Sequence, residues 1–189
     1  MFIFDHTVRK SSVTKLNTLG AEGQAAGSVV RVHCDYTSVS APRRFKQLGQ
    51  TESYTGFKLT EEDVSKYMDG RFAFINVWRP VTEHPVYVKP LAVCDTNSVD
   101  PSEHITYELR YKERTGETYS LEGSQKHKWY YYPQQEKDEC LIFKVYDKKK
   151  DGPRFVFHTA FDDPATKQGD PARESIEVRA IVCYDDEAV

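Results

Sequence analysis

Short apolar runs separated by turn-forming residues recur along the whole of this chain, and that pattern limits its possible folds more than any single residue does. The strand candidates are Val29 to Tyr36, Phe72 to Arg79, Leu91 to Asp95, Ile105 to Tyr111, Lys128 to Tyr132, Cys140 to Asp147, Phe155 to Phe161 and Ser175 to Tyr184, with a strand-like start at Met1 to Phe4. Aromatic residues make up 13% of the chain and, with the many Val and Ile, favour a pleated, half-buried surface over a helix. Eight or nine such strands suit a jelly roll. Helical signal is confined to Thr60-Glu61-Glu62-Asp63, a capping start stopped by Gly70, and to a weaker turn around Arg43 to Leu48. Gly20 to Ser28 and Asp162 to Ala172 read as loops. At 189 residues, a single domain over 1–189 with mainly β structure and a few peripheral helices is the expectation.

Charge narrows the partners. The 26 basic and 29 acidic residues are interspersed and leave a formal net charge of -3, so no single-sign field points to nucleic acid or an anionic membrane. Lys148-Lys149-Lys150 before Asp151-Gly152 reads as a solvated hairpin tip. Cys34, Cys94, Cys140 and Cys183 form no C-x-x-C pair and lie on predicted strands, which suits buried free thiols in a reducing compartment better than disulfides or a zinc knuckle. No charged-then-apolar leader and no apolar run long enough to span a bilayer is present. A cytoplasmic protein acting on a small molecule, without nucleic acid or membrane, is the resulting expectation; nothing in the chain speaks to oligomeric state.

Chemistry concentrates in His33-Cys34-Asp35 and, far downstream, in His158. Side chains two apart on a strand share a face, so His33 and Asp35 project together and Cys34 turns away. Two imidazoles and one carboxylate form the facial triad of non-heme Fe(II) sites, which leaves the opposite metal positions open. Taken alone, H-x-D is also explained by hydrogen-bonded strand residues. Arg173 and Ser175 add weight, because Arg173, Ser175, Glu177 and Arg179 share one parity and a guanidinium beside a hydroxyl binds a carboxylate through charge-assisted hydrogen bonds. An oxygenase using 2-oxoglutarate needs such an anchor. The plain alternatives are a surface Arg173 with Ser175 as a strand-start cap, and an Arg179 paired with Glu177.

Other residues carry paired readings. Asn76 is a candidate hydrogen-bond donor to the cosubstrate, and Trp78, on the same face, a cavity wall; ordinary packing explains both equally. Tyr36 borders the metal pair or simply ends its strand. Tyr130 is a weak substrate candidate, since Tyr130 to Tyr132 read more readily as core aromatics. His6, His84, His104 and His127 lack a carboxylate two residues on and read as surface histidines.

Over nearly its whole length the chain resembles the fungal and bacterial hydroxylase/desaturase family of secondary metabolism, related to aspergillic acid hydroxylases and the cephamycin methoxylase component, among the Fe(II)/2-oxoglutarate oxygenases. The resemblance runs through Phe4-Asp5-His6-Thr7-Val8-Arg9, Arg31-Val32-His33-Cys34-Asp35-Tyr36-Thr37, Ile75-Asn76-Val77-Trp78-Arg79-Pro80, Trp129-Tyr130-Tyr131-Tyr132-Pro133, His158-Thr159-Ala160-Phe161 and Arg173-Glu174-Ser175-Ile176-Glu177-Val178-Arg179. It implies a double-stranded β-helix, His33, Asp35 and His158 as Fe(II) ligands, and Arg173 with Ser175 as the 2-oxoglutarate clamp, with Arg179 the competing anchor. Such proteins usually carry a longer segment before the Phe-Asp-His-Thr-Val-Arg stretch, so the chain reads as N-terminally short. Two rivals remain: a catalytically silent β-rich interaction domain that keeps its metal site, and a cupin-like metalloenzyme without 2-oxoglutarate.

Overall fold

The computed structural model describes residues 1–13, 25–53, 55–110 and 115–188. In chain order these form β1 (Phe2–Lys10), α1 (Ser40–Gln50), α2 (Glu61–Asp69), β2 (Gly70–Pro80), β3 (Leu91–Cys94), β4 (His104–Arg110), β5 (Thr115–Leu121), β6 (Trp129–Tyr131), β7 (Leu141–Asp147), β8 (His158–Ala160) and β9 (Glu174–Ala188). The larger sheet has the order β1-β9-β2-β7, a second the order β6-β3-β8, and β4-β5 form a hairpin, with every named strand pair antiparallel.

The segment before α1 joins the second sheet to the hairpin. His33 and His158 exchange backbone hydrogen bonds of 3.1 and 2.9 Å, and Cys34 and Tyr119 exchange bonds of 2.8 and 3.2 Å. The expected strand from Val29 to Tyr36 is therefore two single bridges, because consecutive residues pair with different strands. Other expectations shift in length. Phe155 to Phe161 contracts to three residues, and the last strand extends beyond Tyr184 to Ala188. The weak turn near Arg43 is an 11-residue helix. Strand β5 was missed, since Thr115-Gly116-Glu117-Thr118-Tyr119-Ser120-Leu121 has no apolar alternation. Tyr111, and residues 20–24 of the first expected loop, lie outside the described residues.

Aromatic packing joins the helices to the larger sheet. Ala41, Phe45 and Leu48 recur at helical spacing on α1 and are fully buried, and Phe45 stacks on Phe72 at 4.1 Å between ring centres. Burying each large apolar side chain contributes about 2 kcal/mol. Gly49 lets α2 approach α1, since a Cβ there would collide with Val64 Cγ2. α2 begins as expected: Thr60 Oγ1 accepts from Asp63 N at 3.0 Å, and Thr60 N donates back to Asp63 Oδ2 at 3.1 Å.

Several surface expectations change. Tyr130, Tyr131 and Tyr132 are exposed rather than core, on and just after β6 at the edge of the second sheet. Lys148 is not a free hairpin tip: its ammonium donates to the carbonyls of Met68, Asp69 and Gly70 at the end of α2. All four cysteines are free, but Cys140 is exposed. His127 is a nearly buried partner of Glu103 at 2.8 Å, and His104 packs among Tyr119, Phe155 and Phe157.

Candidate active site

The bridge between His33 and His158 sets their rings side by side, 4.4 Å between centres. Asp35, two residues after His33, turns to the same side. Its Oδ1 lies 3.6 Å from His33 Nε2 and 3.9 Å from His158 Nε2, and one ligand atom from each residue falls within 4.8 Å of the others. Cys34 faces the other way, its thiol donating to Val145 O at 3.0 Å. Burial pushes that thiol well up, which keeps it protonated.

Both imidazoles are oriented from behind. His33 Nδ1 lies 2.8 Å from Arg31 O and His158 Nδ1 lies 3.2 Å from Val156 O, so each Nδ1 carries the proton and each Nε2 presents a lone pair toward Asp35. Burial, then the neighbouring His158, pushes His33 down to about 4; burial likewise lowers His158. Burial alone would raise Asp35, but Arg179, His158, His33 and the Asn76 hydrogen bond together hold it far below the usual carboxylate range. At neutral pH the cluster is two neutral imidazoles and one carboxylate.

Strand register explains who holds that carboxylate. β1, β9 and β2 run side by side, and their inward residues form three rows: Asp5–Arg179–Asn76, Thr7–Glu177–Trp78, and Arg9–Ser175–Pro80. In the first row, Asn76 Nδ2 donates to Asp35 Oδ2 at 2.9 Å and Arg179 Nε donates to the same oxygen at 3.1 Å, which leaves Oδ1 for the histidines. Arg179 also donates to Asp5, Thr7 and Glu177. Burial opposes its charge, but Asp35 and Glu177 raise its pKa well above the ordinary value. Burial pushes the Glu177 carboxyl up against the pull of Arg179.

Ser175 of the third row and Arg173, which lies just before β9, are different. Arg173 is 2% exposed; Nη1 donates to Lys89 O and Nη2 to Ser28 Oγ, while Nε has no partner. Ser175 Oγ is also buried without a partner. Burial, and then Arg9, pushes Arg173 down to about 10, which leaves it charged at neutral pH. A small cavity of about 20 Å³ joins Arg173 and Trp78 to His33 and His158, and it shares Arg9, Val29 and His33 with a larger cavity of about 180 Å³ that opens over Asp35, Tyr36 and Arg179.

His33, Asp35, His158, Asn76 and Arg179 thus meet in one cluster, with Arg173, Ser175 and Trp78 beside it and Tyr36 on the larger cavity, stacked on Phe74. Asn76 contacts Asp35 rather than facing open space. Tyr130 is 57% exposed and lines none of the three cavities, whereas its neighbours Trp129 and Tyr131 line a third, of about 500 Å³, together with Thr159 on the opposite face of β8 from His158. Sequence reasoning overlooked Asp5, Thr7 and Arg9 of β1. Their signal was a polar residue at every second position of a strand whose Phe4 is core.

The profile of the family described as "Oxidoreductase/YMDC permease-like domain" matches residues 1–183. The Fe(II)/2-oxoglutarate-dependent dioxygenase nvfI of Aspergillus novofumigatus is 36% identical over 94% of this chain and 60% of its own length. The hydroxylase/desaturase efuI of Hormonema carpetanum is 29% identical over 97% of this chain and 63% of its own. A solved structure of the iron and alpha-ketoglutarate-dependent endoperoxidase NvfI superimposes with a TM-score of 0.79 at 29% identity, covering 96% of this chain and 61% of that one. The chain therefore spans about three fifths of the length of these relatives. The likeness agrees with the double-stranded β-helix expected from the sequence. Profile, relatives and fold converge: the chain belongs to this oxidoreductase family, and the proteins it is similar to are named Fe(II)/2-oxoglutarate-dependent dioxygenases and hydroxylase/desaturases.

Proposed function

We propose that this chain is the oxygenase domain, over residues 1–189, of a cytoplasmic Fe(II)/2-oxoglutarate-dependent enzyme that hydroxylates or desaturates a small-molecule secondary metabolite. The observation that carries this reading is one conjunction: two Nε2 lone pairs and a carboxylate oxygen converge beside the buried Nε of Arg173 and the buried Ser175 hydroxyl, neither of which has a hydrogen-bond partner. Buried polar groups are nearly always satisfied, so an orphaned guanidinium N–H and an orphaned hydroxyl mark where an anion's oxygens fit. The donor set fits Fe(II), and Arg173 Nε with Ser175 Oγ fits the far carboxylate of 2-oxoglutarate. Bound together, Fe(II) and 2-oxoglutarate supply the activation of O2 for attack on an unactivated C–H bond.

The chain's own residues do the rest. His33 Nε2, His158 Nε2 and Asp35 Oδ1 would hold the metal, and since none carries a proton at neutral pH, binding requires none to leave. Asn76 and Arg179 keep Asp35 Oδ2 occupied, so the carboxylate presents one oxygen. Arg179 spends its donors on three carboxylates and Thr7, which favours Arg173 over Arg179 as the cosubstrate anchor. The cosubstrate would lie across the two joined cavities, with Trp78 as a wall and Arg173 at the far end. The wider cavity, bordered by Tyr36, would take the substrate, and its walls choose the reacting carbon by position.

The test is equilibrium dialysis of 2-oxoglutarate against Mn(II)-loaded protein, Mn(II) standing in for the oxidisable Fe(II). Arg173→Ala weakens 2-oxoglutarate at least tenfold and leaves metal retention unchanged; equal affinity in variant and parent removes the anchor from Arg173. Metal retention without any 2-oxoglutarate binding supports the cupin-like or silent rivals instead.

A further inference from the structure

Resting on the oxygenase reading, we infer that the substrate of this site is an organic acid, whose anionic group is held at the mouth of the larger cavity by Arg31, Arg43 and Arg44. That mouth has two walls. One is α1, whose Ser40, Arg43, Arg44 and Gln47 recur at i, i+3, i+4 and i+7 and line the cavity, while Ala41, Phe45 and Leu48 pack into the core. The polar face of a peripheral helix normally meets bulk solvent; here it borders the approach to the metal centre. The other wall is the β4–β5 hairpin, to which Arg31 is joined by its guanidinium lying 4.0 Å over the Tyr107 ring.

Three features make this a built anion site rather than a scatter of surface charge. First, the carboxylates on the same cavity are already engaged: Asp5 and Asp35 pair with Arg179, and Glu117 accepts from the Thr37 hydroxyl. Arg31, Arg43 and Arg44 form no ion pair among the described residues, so the mouth holds surplus positive charge in a chain whose net charge is negative. Second, Arg31 Nε is buried without a hydrogen-bond partner. Third, Thr118, 93% buried and paired in register with Tyr107, lines the cavity with a hydroxyl that also lacks a partner. A planar guanidinium pre-oriented on an aromatic face, next to an unpaired hydroxyl, suits a carboxylate. Val29, Leu109 and Tyr36 offer apolar surface for the rest of the acid.

The probe is 1-naphthoate compared with its methyl ester, titrated calorimetrically into protein loaded with Mn(II) and excess 2-oxoglutarate, and into metal-free protein. The parent binds the acid at least tenfold more tightly than the ester. In Arg31→Gln, and in the Arg43→Gln/Arg44→Gln double variant, that ratio falls below threefold while Mn(II) retention is unchanged, because Arg31 holds His33 only through its backbone carbonyl. Thr118→Val lowers acid affinity about threefold without touching the ester. Equal binding of acid and ester, no binding of the acid, or a ratio that survives both arginine variants overturns the inference.

The oxygenase reading fails separately, if metal or 2-oxoglutarate does not bind. The metal-free titration then still decides the matter. A preference that depends on Arg31, Arg43 and Arg44 and survives Arg173→Gln upholds the site, and one abolished by Arg173→Gln places the acid at the inner arginine and overturns it.

Discussion

Arg179 donates to Asp35, Asp5 and Glu177 at 3.1, 3.1 and 2.8 Å, and all four side chains are largely shielded from water. Removing the cation leaves three carboxylates facing one another without the one side chain that pairs with all of them, and with Arg9 as the nearby counter-charge to Glu177 and Asp35. Arg179→Met therefore lowers the stability of the metal-free protein by about 3–5 kcal/mol, read by urea unfolding; a loss below about 1 kcal/mol would mean the pairs are individually weak. The histidines set a pH dependence. His33 titrates at about 4 in the folded protein and near 6.5 when unfolded. As pH falls below 6.5 the unfolded chain takes up the proton first, so this contribution is complete above pH 6.5 and is lost as pH falls toward 4. The loss is about 3 kcal/mol, with the lowered His158 acting in the same direction. Unfolding at pH 7.5 and 5.0 should show the decline, smaller in His33→Gln; identical declines in parent and variant contradict it. The motif residues were legible because H-x-D and R-x-S are local. The hold of Asn76 and Arg179 on Asp35 was not, because it depends on the register of three strands.

α2 is stabilised at both ends by residues of different visibility. Its start was legible in Thr60 and Asp63, three residues apart. Its end is capped by Lys148, about 80 residues away, whose ammonium meets three carbonyls near the negative end of the helix dipole. Lys148→Met costs about 1–2 kcal/mol, whereas Lys150→Met in the same run changes stability by under about 0.5 kcal/mol. Equal effects at the two positions would return Lys148 to the solvent. The strand errors have related causes. β5 is largely polar because it forms a hairpin wall, and residues 29–36 look like a strand yet divide their bridges between β8 and β5. Apolar periodicity reports which face is buried, not which partner a residue finds.

Across the molecule, the larger sheet contributes a polar inner strip from β1, β9 and β2, and β8 with the preceding bridge segment contributes the two histidines opposite it. The jelly-roll class was legible from the number and spacing of apolar runs; the strip was visible as parity along β9 and as the shared face of Asn76 and Trp78 on β2, and how the strands align it was not. Thiol accessibility reports on the same packing. Cys140 is exposed, Cys183 is half-buried and pushed up to about 11 by burial, and Cys34 and Cys94 are buried. An aromatic disulfide reagent at pH 8 should consume one thiol rapidly and Cys34 only on unfolding; rapid loss of Cys34 would mean that the wall behind His33 and Asp35 opens in the native state.

The measurement that bears most directly on the oxygenase reading is anaerobic titration of the metal-free protein with Fe(II) and then 2-oxoglutarate, followed by visible absorption. A saturable charge-transfer band of the metal-chelated keto acid, present in the parent and absent in His158→Ala, is the predicted result. Tight Fe(II) retention by the parent with no band at saturating 2-oxoglutarate would contradict it.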